Sequence, residues 1–255
     1  MVCLKLPAAI AALLLVGGDL AAQETKPPAP LGHVVRWSDV AVAVGGVGVL
    51  MLVDEPLQRF AQRNRTSATD DIAGIFRTGG EPPIYAGIGL GVLGVGFVTG
   101  KAGVRRAGSR LVAAVLLSAG EMSLMKRLVG RSRPNEQVGA FAFHPITSLD
   151  DSAGIEARGS MPSGHVTAAF AVATSLADDI RKPLVKVLLY AAASGTAFSR
   201  INDNRHWISD TAMGAVLGIF TAKVVNGHWR IFGLRSPGFL VTPSGAAVVA
   251  WQAMF

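Results

Sequence analysis

Three short polar clusters carry the residue types that could do chemistry on an oxyanion: KRLVGRSRP (Lys126 to Pro134), MPSGHVT (Met161 to Thr167) and SRINDNRHWISD (Ser199 to Asp210). His206 and Asp210 are four apart, so at the start of a helix they share one face. A carboxylate that accepts from the Nδ1–H of a histidine fixes the tautomer and leaves Nε2 with a free lone pair. His206 therefore reads as a nucleophile on phosphorus, giving a phosphohistidine, with Asp210 as its orienter. His165 follows Pro162-Ser163-Gly164 at a helix start, where it could protonate a leaving oxygen and then deprotonate water. Lys126, Arg133 and Arg200 are three fixed cations; arginine clamps an oxyanion bidentately, and lysine adds a point charge. The free backbone N–H groups around Ser163 and Gly164, with the positive end of the helix dipole, add to such a site. These groups could neutralise transition-state charge without a metal. Each cluster taken singly also fits helix capping and contact with lipid headgroups. Asp203 and Arg205 read as loop residues shaping a cleft, and Trp207 as packing beside it.

Six apolar segments of helical length must position these clusters: approximately Val40–Val53, Ile84–Thr99, Leu111–Met125, Val166–Ala177, Leu184–Phe198 and Thr211–Val225. In an up-down bundle, the C-ends of the third and fifth meet the N-ends of the fourth and sixth, so all three clusters converge at one end. The expected fold is all-α with a six-helix core. A polar amphipathic stretch, 54–80, reads as one or two surface helices, and Pro82-Pro83 starts the second apolar helix. KAGVRRAGSR (101–110) and DDIRKP (178–183) read as connections. The tail suggests a short β-hairpin turning at Pro243 to Gly245. GLGVLG (89–94) has no preceding strand, so it reads as a small-residue packing surface instead of a nucleotide fingerprint. Glu121, inside the third apolar run, is either a buried partner for a basic residue or interfacial.

With 255 residues, half of them apolar and 16% charged, the chain can bury a large core. Its mean hydropathy of +0.42 lies between soluble and polytopic membrane proteins, and none of the six runs reaches the roughly 20 apolar residues of a comfortable span. They are short tilted spans or core helices. The net charge of +7 suits an anionic partner. Nucleic acid is set aside, because the basic residues form no stripe and no zinc-finger, helix-turn-helix or RNA-binding signature is present. No HExxH or comparable ligand pair points to a metal.

Residues 1–22 read as a secretory signal cleaved near Ala22, the rival reading being an uncleaved anchor. Cys3, the sole cysteine, lies within it, so the exported chain would carry no disulfide. Residues 23–37 read as a proline-rich linker, 38–230 as the helical domain and 231–255 as a tail. If the helices span, the basic stretches 101–110 and 223–235 belong on the cytoplasmic side, leaving the polar clusters facing outward.

Lys126, six intervening residues, Arg133-Pro134; Pro162-Ser163-Gly164-His165; Ser199-Arg200, five residues, His206, three residues, Asp210: this order and spacing resembles the three-part signature of the type 2 phosphatidic acid phosphatase superfamily. That superfamily includes lipid phosphatases, bacterial class A acid phosphatases and vanadium haloperoxidases. The match covers Lys126 to Asp210, and the flanking helices are consistent with the family's six-helix core. The resemblance implies His206 as nucleophile, Asp210 as orienter and His165 as acid/base, with Lys126, Arg133, Ser163, Gly164 and Arg200 as the phosphate cradle and no cofactor. It implies a phosphatase acting on a phosphomonoester or pyrophosphate, and the signal read at 1–22 makes it exported, periplasmic or membrane-associated. A phosphorylated lipid such as phosphatidic acid, phosphatidylglycerol phosphate or undecaprenyl pyrophosphate is favoured over a small phosphoester. The rival readings are a phosphotransferase to a lipid acceptor, a haloperoxidase whose histidine holds vanadate, and a phospholipid-binding scaffold. The intact His206, Asp210 and His165 argue against the last, since binding alone needs neither nucleophile nor acid.

Overall fold

Proline, glycine and apolar periodicity punctuate the chain into antiparallel helices. The computed structural model describes residues 32–146, 156–231, 238–241 and 247–250. The expected signal, 1–22, and the turn at Pro243 to Gly245 lie outside the described residues. In chain order the elements are β1 (His33–Val35), α1 (Trp37–Met51), α2 (Asp54–Arg63), α3 (Ser67–Gly79), α4 (Pro82–Val98), α5 (Ala102–Val129), α6 (Gly164–Asp179), α7 (Pro183–Asn202), α8 (Ile208–Val225), β2 (Trp229–Ile231), β3 (Gly238–Val241) and β4 (Ala247–Ala250). Prolines occupy the first turns of α4 and α7, where the missing N–H costs nothing. The polar stretch 54–80 forms two helices, α2 and α3, the second opened by a capping box between Thr66 and Thr69.

The structure departs from the sequence reading at two places. KAGVRRAGSR is not a connection: Lys101 caps α5, and Arg105, Arg106 and Arg110 lie in its first turns, making that helix 28 residues long. Charge hid the apolar periodicity, while alanine and arginine are strong helix formers. Within the stretch expected as linker, His33–Val35 pairs in parallel with Trp229–Ile231, tying the start of α1 to the end of α8. In the tail, β3 and β4 pair antiparallel, as the two β-like runs suggested.

The main core lies among α4, α5, α6 and α7, where Tyr85, Leu111, Val172, Leu176 and Ile180 are buried together. Helices approach closely where side chains are absent. A Cβ on Gly218 of α8 would sit 2.3 Å from the Thr167 carbonyl of α6, and one on Gly108 would sit 2.5 Å from the Leu93 backbone. In GLGVLG, Gly89 packs on Val112, whereas Gly91 and Gly94 face open space. Glu121 meets a hydroxyl, accepting from Thr221 Oγ1.

The outer faces remain apolar: Leu184, Val187 and Leu188 of α7, and Leu116 and Leu124 of α5, are exposed. By length and composition, α7 and α8 are each long and apolar enough to cross a membrane, and the bent pairs α1–α2 and α3–α4 would qualify as broken spans. α5 and α7 end, and α6 and α8 begin, at the same end of the bundle, where the Ser163 N–H donates to the Asp210 carbonyl at 3.1 Å.

Candidate active site

Helix ends deliver every expected site residue to that one end. α5 stops at Gly130, whose left-handed conformation (φ 57°) lets its N–H reach the Lys126 carbonyl and turns the chain into Arg131–Arg133. Lys126, in the last turn, donates through Nζ to the Gly159 carbonyl. Burial, and next the charge of Arg133, push its ammonium down to about 8. Ser163 caps α6 and Gly164 is its first helical residue. Arg200 lies in the last turn of α7, and His206, Trp207 and Asp210 lie in the loop and first turn of α8.

The His206 imidazole is buried, and its Nδ1 lies 2.8 Å from the Ser160 carbonyl oxygen. A carbonyl only accepts, so Nδ1 carries the proton and Nε2 keeps its lone pair. Burial pulls the imidazole down to about 4, and the positive charges of Lys126 and Arg133 pull the same way. The ring is therefore held neutral.

The expected direct bond from His206 to Asp210 is not made. Asp210 Oδ2 stands 3.8 Å from Nδ1, and its oxygens are taken by Arg131 Nη1 at 2.7 Å, Ser160 Oγ at 2.5 Å and the Trp207 N–H at 2.9 Å. Asp210 acts on the ring at one remove: it fixes Ser160, whose backbone carbonyl fixes the ring.

The expected cradle contains unpartnered polar atoms. Among the described residues Ser163 Oγ and Arg133 Nε, both buried, find no hydrogen-bond partner, which leaves them open to a ligand or water. The remaining cradle cations lean on carboxylates. Arg133 Nη2 is 3.5 Å from Glu156, which also pairs with Arg205, and Arg200 Nη2 donates to Asp203 at 2.8 Å. His165 is one-quarter exposed, with Nε2 3.6 Å from Glu81 at the start of α4. Desolvation and the charge of Arg200 lower its pKa below the ordinary 6.5.

Behind this layer lies one that sequence reasoning missed. Arg131 is fully buried, bonded to Asp54 at 2.6 Å and Asp210 at 2.7 Å, and its guanidinium lies 5.5 Å from the centres of the Phe143 and Trp207 rings. Trp207 packs beside the site as expected, its Nε1 donating to the Ser132 carbonyl at 3.0 Å. Nothing local separates Arg131 from Arg127 or Arg133, and Asp54 reads like any acid at a helix start.

A cavity of about 350 Å³ runs between α3, α4, α6 and α7, lined almost wholly by apolar surface, including that of Phe76, Tyr85, Val92, Ala169 and Val172, with Thr196 at its wall. Ala169 lies one helical turn beyond His165, and Thr196 one turn before Arg200. The cavity thus begins a turn away from the polar site.

Comparison with known proteins concerns the family and the fold. The profile of the PAP2 superfamily matches residues 107–231. Lipid A 1-phosphatase of Porphyromonas gingivalis is 45% identical over 75 residues, 29% of this chain and 16% of that protein. Lipid A 1-phosphatase of Rhizobium johnstonii is 30% identical over 138 residues, 52% of this chain and 53% of that protein. The chain therefore spans about half, or less, of the length of these relatives. The crystal structure of LpxE from Aquifex aeolicus superposes with a TM-score of 0.53 at 21% identity, covering 68% of this chain and 94% of that one. The matched profile contains all three ordered clusters, so residues 107–231 of this chain belong to the PAP2 superfamily.

Proposed function

We propose that this protein is a phosphatase that removes a phosphate group from a phosphorylated lipid, a phosphomonoester or pyrophosphate, through a covalent intermediate on His206. The observation that carries the reading is the His206 imidazole: buried, neutral, with Nδ1–H committed to the Ser160 carbonyl and Nε2 free. In the first step Nε2 attacks phosphorus and the bond to the leaving oxygen breaks. That oxygen keeps the bonding electrons and takes a proton from protonated His165. In the second, His165 accepts a proton from water as the water oxygen attacks the phosphohistidine, releasing phosphate and neutral His206. Lys126, Arg133, Arg200, the Ser163 hydroxyl and the first N–H groups of α6 hold the non-bridging oxygens through both steps, and this charge neutralisation needs no metal. The buried, unpartnered Ser163 Oγ and Arg133 Nε support that assignment.

The lipid class is supported by the apolar cavity a turn below the cradle and by the exposed apolar faces of α5 and α7. Two of the relatives are named for a lipid phosphate. Orientation follows from charge. Arg105, Arg106 and Arg110 at the start of α5, and Lys223 at the end of α8, lie at the end opposite the site. By the positive-inside rule that end is cytoplasmic, α7 and α8 cross the membrane, and the site of this exported protein opens on the outer side.

The test is phosphate release from p-nitrophenyl phosphate, phosphatidic acid, undecaprenyl pyrophosphate and lipid A in the presence of EDTA, comparing the intact protein with His206→Ala. The expected result is release from at least one lipid that the substitution abolishes. Release that persists in His206→Ala, or none from the folded intact protein, would defeat the proposal.

A further inference from the structure

We infer that Asp54, in an N-terminal helix outside the family-matched region, is a positioning residue for the His206 site, acting through Arg131 and the first turn of α8. Its kinetic consequence rests on the phosphatase reading; the geometry does not. Asp54 is the first residue of α2 and is completely buried. Both of its oxygens accept from the catalytic end: Oδ2 from Arg131 Nη2 at 2.6 Å and from the Ser209 hydroxyl, and Oδ1 from the Ser209 N–H at 3.0 Å. That N–H belongs to the first turn of α8, where no carbonyl of the helix itself can reach it. A carboxylate from another helix satisfies it and complements the dipole, as a residue within α8 would do for its own cap.

From Asp54 a continuous buried chain leads to the nucleophile. Arg131 Nη1 donates to both Ser209 Oγ and Asp210 Oδ1, each at 2.7 Å. Asp210 Oδ2 accepts from the Ser160 hydroxyl, and the Ser160 carbonyl accepts the Nδ1–H of His206. Arg131 is itself a fixed point in this chain, because its Nε and Nη2 are also pinned to the Ala140 carbonyl at 2.9 and 2.7 Å.

Charge argues that this arrangement serves more than stability. Arg131 with Asp210 alone would form a neutral buried pair. Asp54 adds a second buried carboxylate, whose desolvation is unfavourable and which the pair does not need for its own neutrality. What Asp54 adds is a fixed direction: it holds Nη2 of the guanidinium while Asp210 takes Nη1, so the guanidinium keeps one orientation toward Asp210.

Asp54→Asn is the informative variant, since it keeps the shape and leaves the Arg131–Asp210 pair neutral. Both oxygens of Asp54 accept, so whichever way the amide is turned its NH2 faces a donor, either Arg131 Nη2 or the Ser209 N–H. Ser209→Ala is the milder companion, removing only the hydroxyl bridge. The measurements use the full chain: p-nitrophenyl phosphate turnover, and the His206 tautomer by ¹⁵N NMR of histidine-labelled protein, assigned against His206→Ala. Wild type is expected to hold the Nδ1–H form. Asp54→Asn is expected to mix the two tautomers and lower kcat about 10- to 100-fold, the scale of a misplacement near 1 Å, while KM changes less than about threefold. Ser209→Ala is expected to move both readouts in the same direction and less far. A wild-type kcat and an unchanged tautomer in Asp54→Asn, or in Ser209→Ala should the first variant not fold, would overturn the inference and leave Asp54 a helix cap. If wild type itself released no phosphate, the phosphatase reading would fail, and the tautomer comparison would still decide the positioning role.

Discussion

Arg131 and Arg133 are two residues apart and have opposite surroundings. Arg131 sits in an inner layer with Asp54, Asp210, Ser160 and Ser209, where each guanidinium nitrogen has a partner within 2.9 Å. Arg133 sits in an outer layer with Ser163 and Arg200, where a guanidinium nitrogen and a hydroxyl are buried without partners. A fully bonded layer rigidifies, whereas an under-bonded one is reserved for a ligand. The contrast separates residues that hold the site from residues that would hold the phosphate.

The largest expected effect breaks the inner layer. Arg131→Met leaves Asp54 and Asp210 buried without their cation, and removing one partner of such a group costs about 3–5 kcal/mol. Denaturation of the purified protein in detergent should register that loss. Arg133→Met should cost less than about 1 kcal/mol in the same assay, because no carboxylate is stranded in the interior. Its effect belongs in KM for the phosphorylated substrate. Equal destabilisation by the two substitutions would erase the distinction between the layers.

Protons give the second test. His206 must be neutral to attack and sits at about 4, so the acid limb of kcat/KM should fall there. His165 must be protonated to assist the leaving group, and its pKa lies below the ordinary 6.5, so the alkaline limb should begin on the acid side of neutrality. The profile is expected to be a bell with an acidic optimum, and one flat through this range would contradict both roles. Stability has its own sign. Between 6.5 and about 4 the unfolded chain, with an ordinary imidazole, binds more protons than the native one. The His206 contribution is thus complete above 6.5 and lost as pH falls through that window. His206→Gln should make the acid loss of stability shallower.

The outer layer was legible in the sequence because its members sit at fixed spacings inside three contiguous clusters, and the up-down order of apolar runs brought those clusters to one end. The inner layer was not. Arg131 carries the same charge, four positions from Arg127 on one side and next to Ser132 on the other, as any basic residue after a helix. Only the depth of packing under Phe143 and Trp207 sets it apart. Asp54 is 155 positions from its partner Ser209, a separation no local pattern encodes. The same reason hid the pairing of β1 with β2, and the helical start of α5 was concealed by its own arginines. Spacing pointed to His206 and to the residues expected as a cradle, which the fold brings together; it gave no hint that Asp210 would reach His206 through Ser160.

The smallest effect concerns the rim, where the two layers meet solvent. Glu156 is 62% exposed and bridges Arg133 to Arg205, so its carboxylate occupies a direction from which a second anion could approach. An exposed pair of this kind is worth less than about 1 kcal/mol and is screened within roughly 8 Å at physiological salt. Glu156→Gln should therefore leave the melting temperature unchanged and lower KM for an anionic substrate by at most about fivefold, the whole of the pair's strength at this scale. The gain should shrink as salt rises, because the competing carboxylate is itself screened. Steady-state kinetics at low and high salt would measure it. A KM that rises in Glu156→Gln would mean that the carboxylate orders Arg133 for phosphate instead of competing with it, and the rim would then belong with the inner, positioning layer.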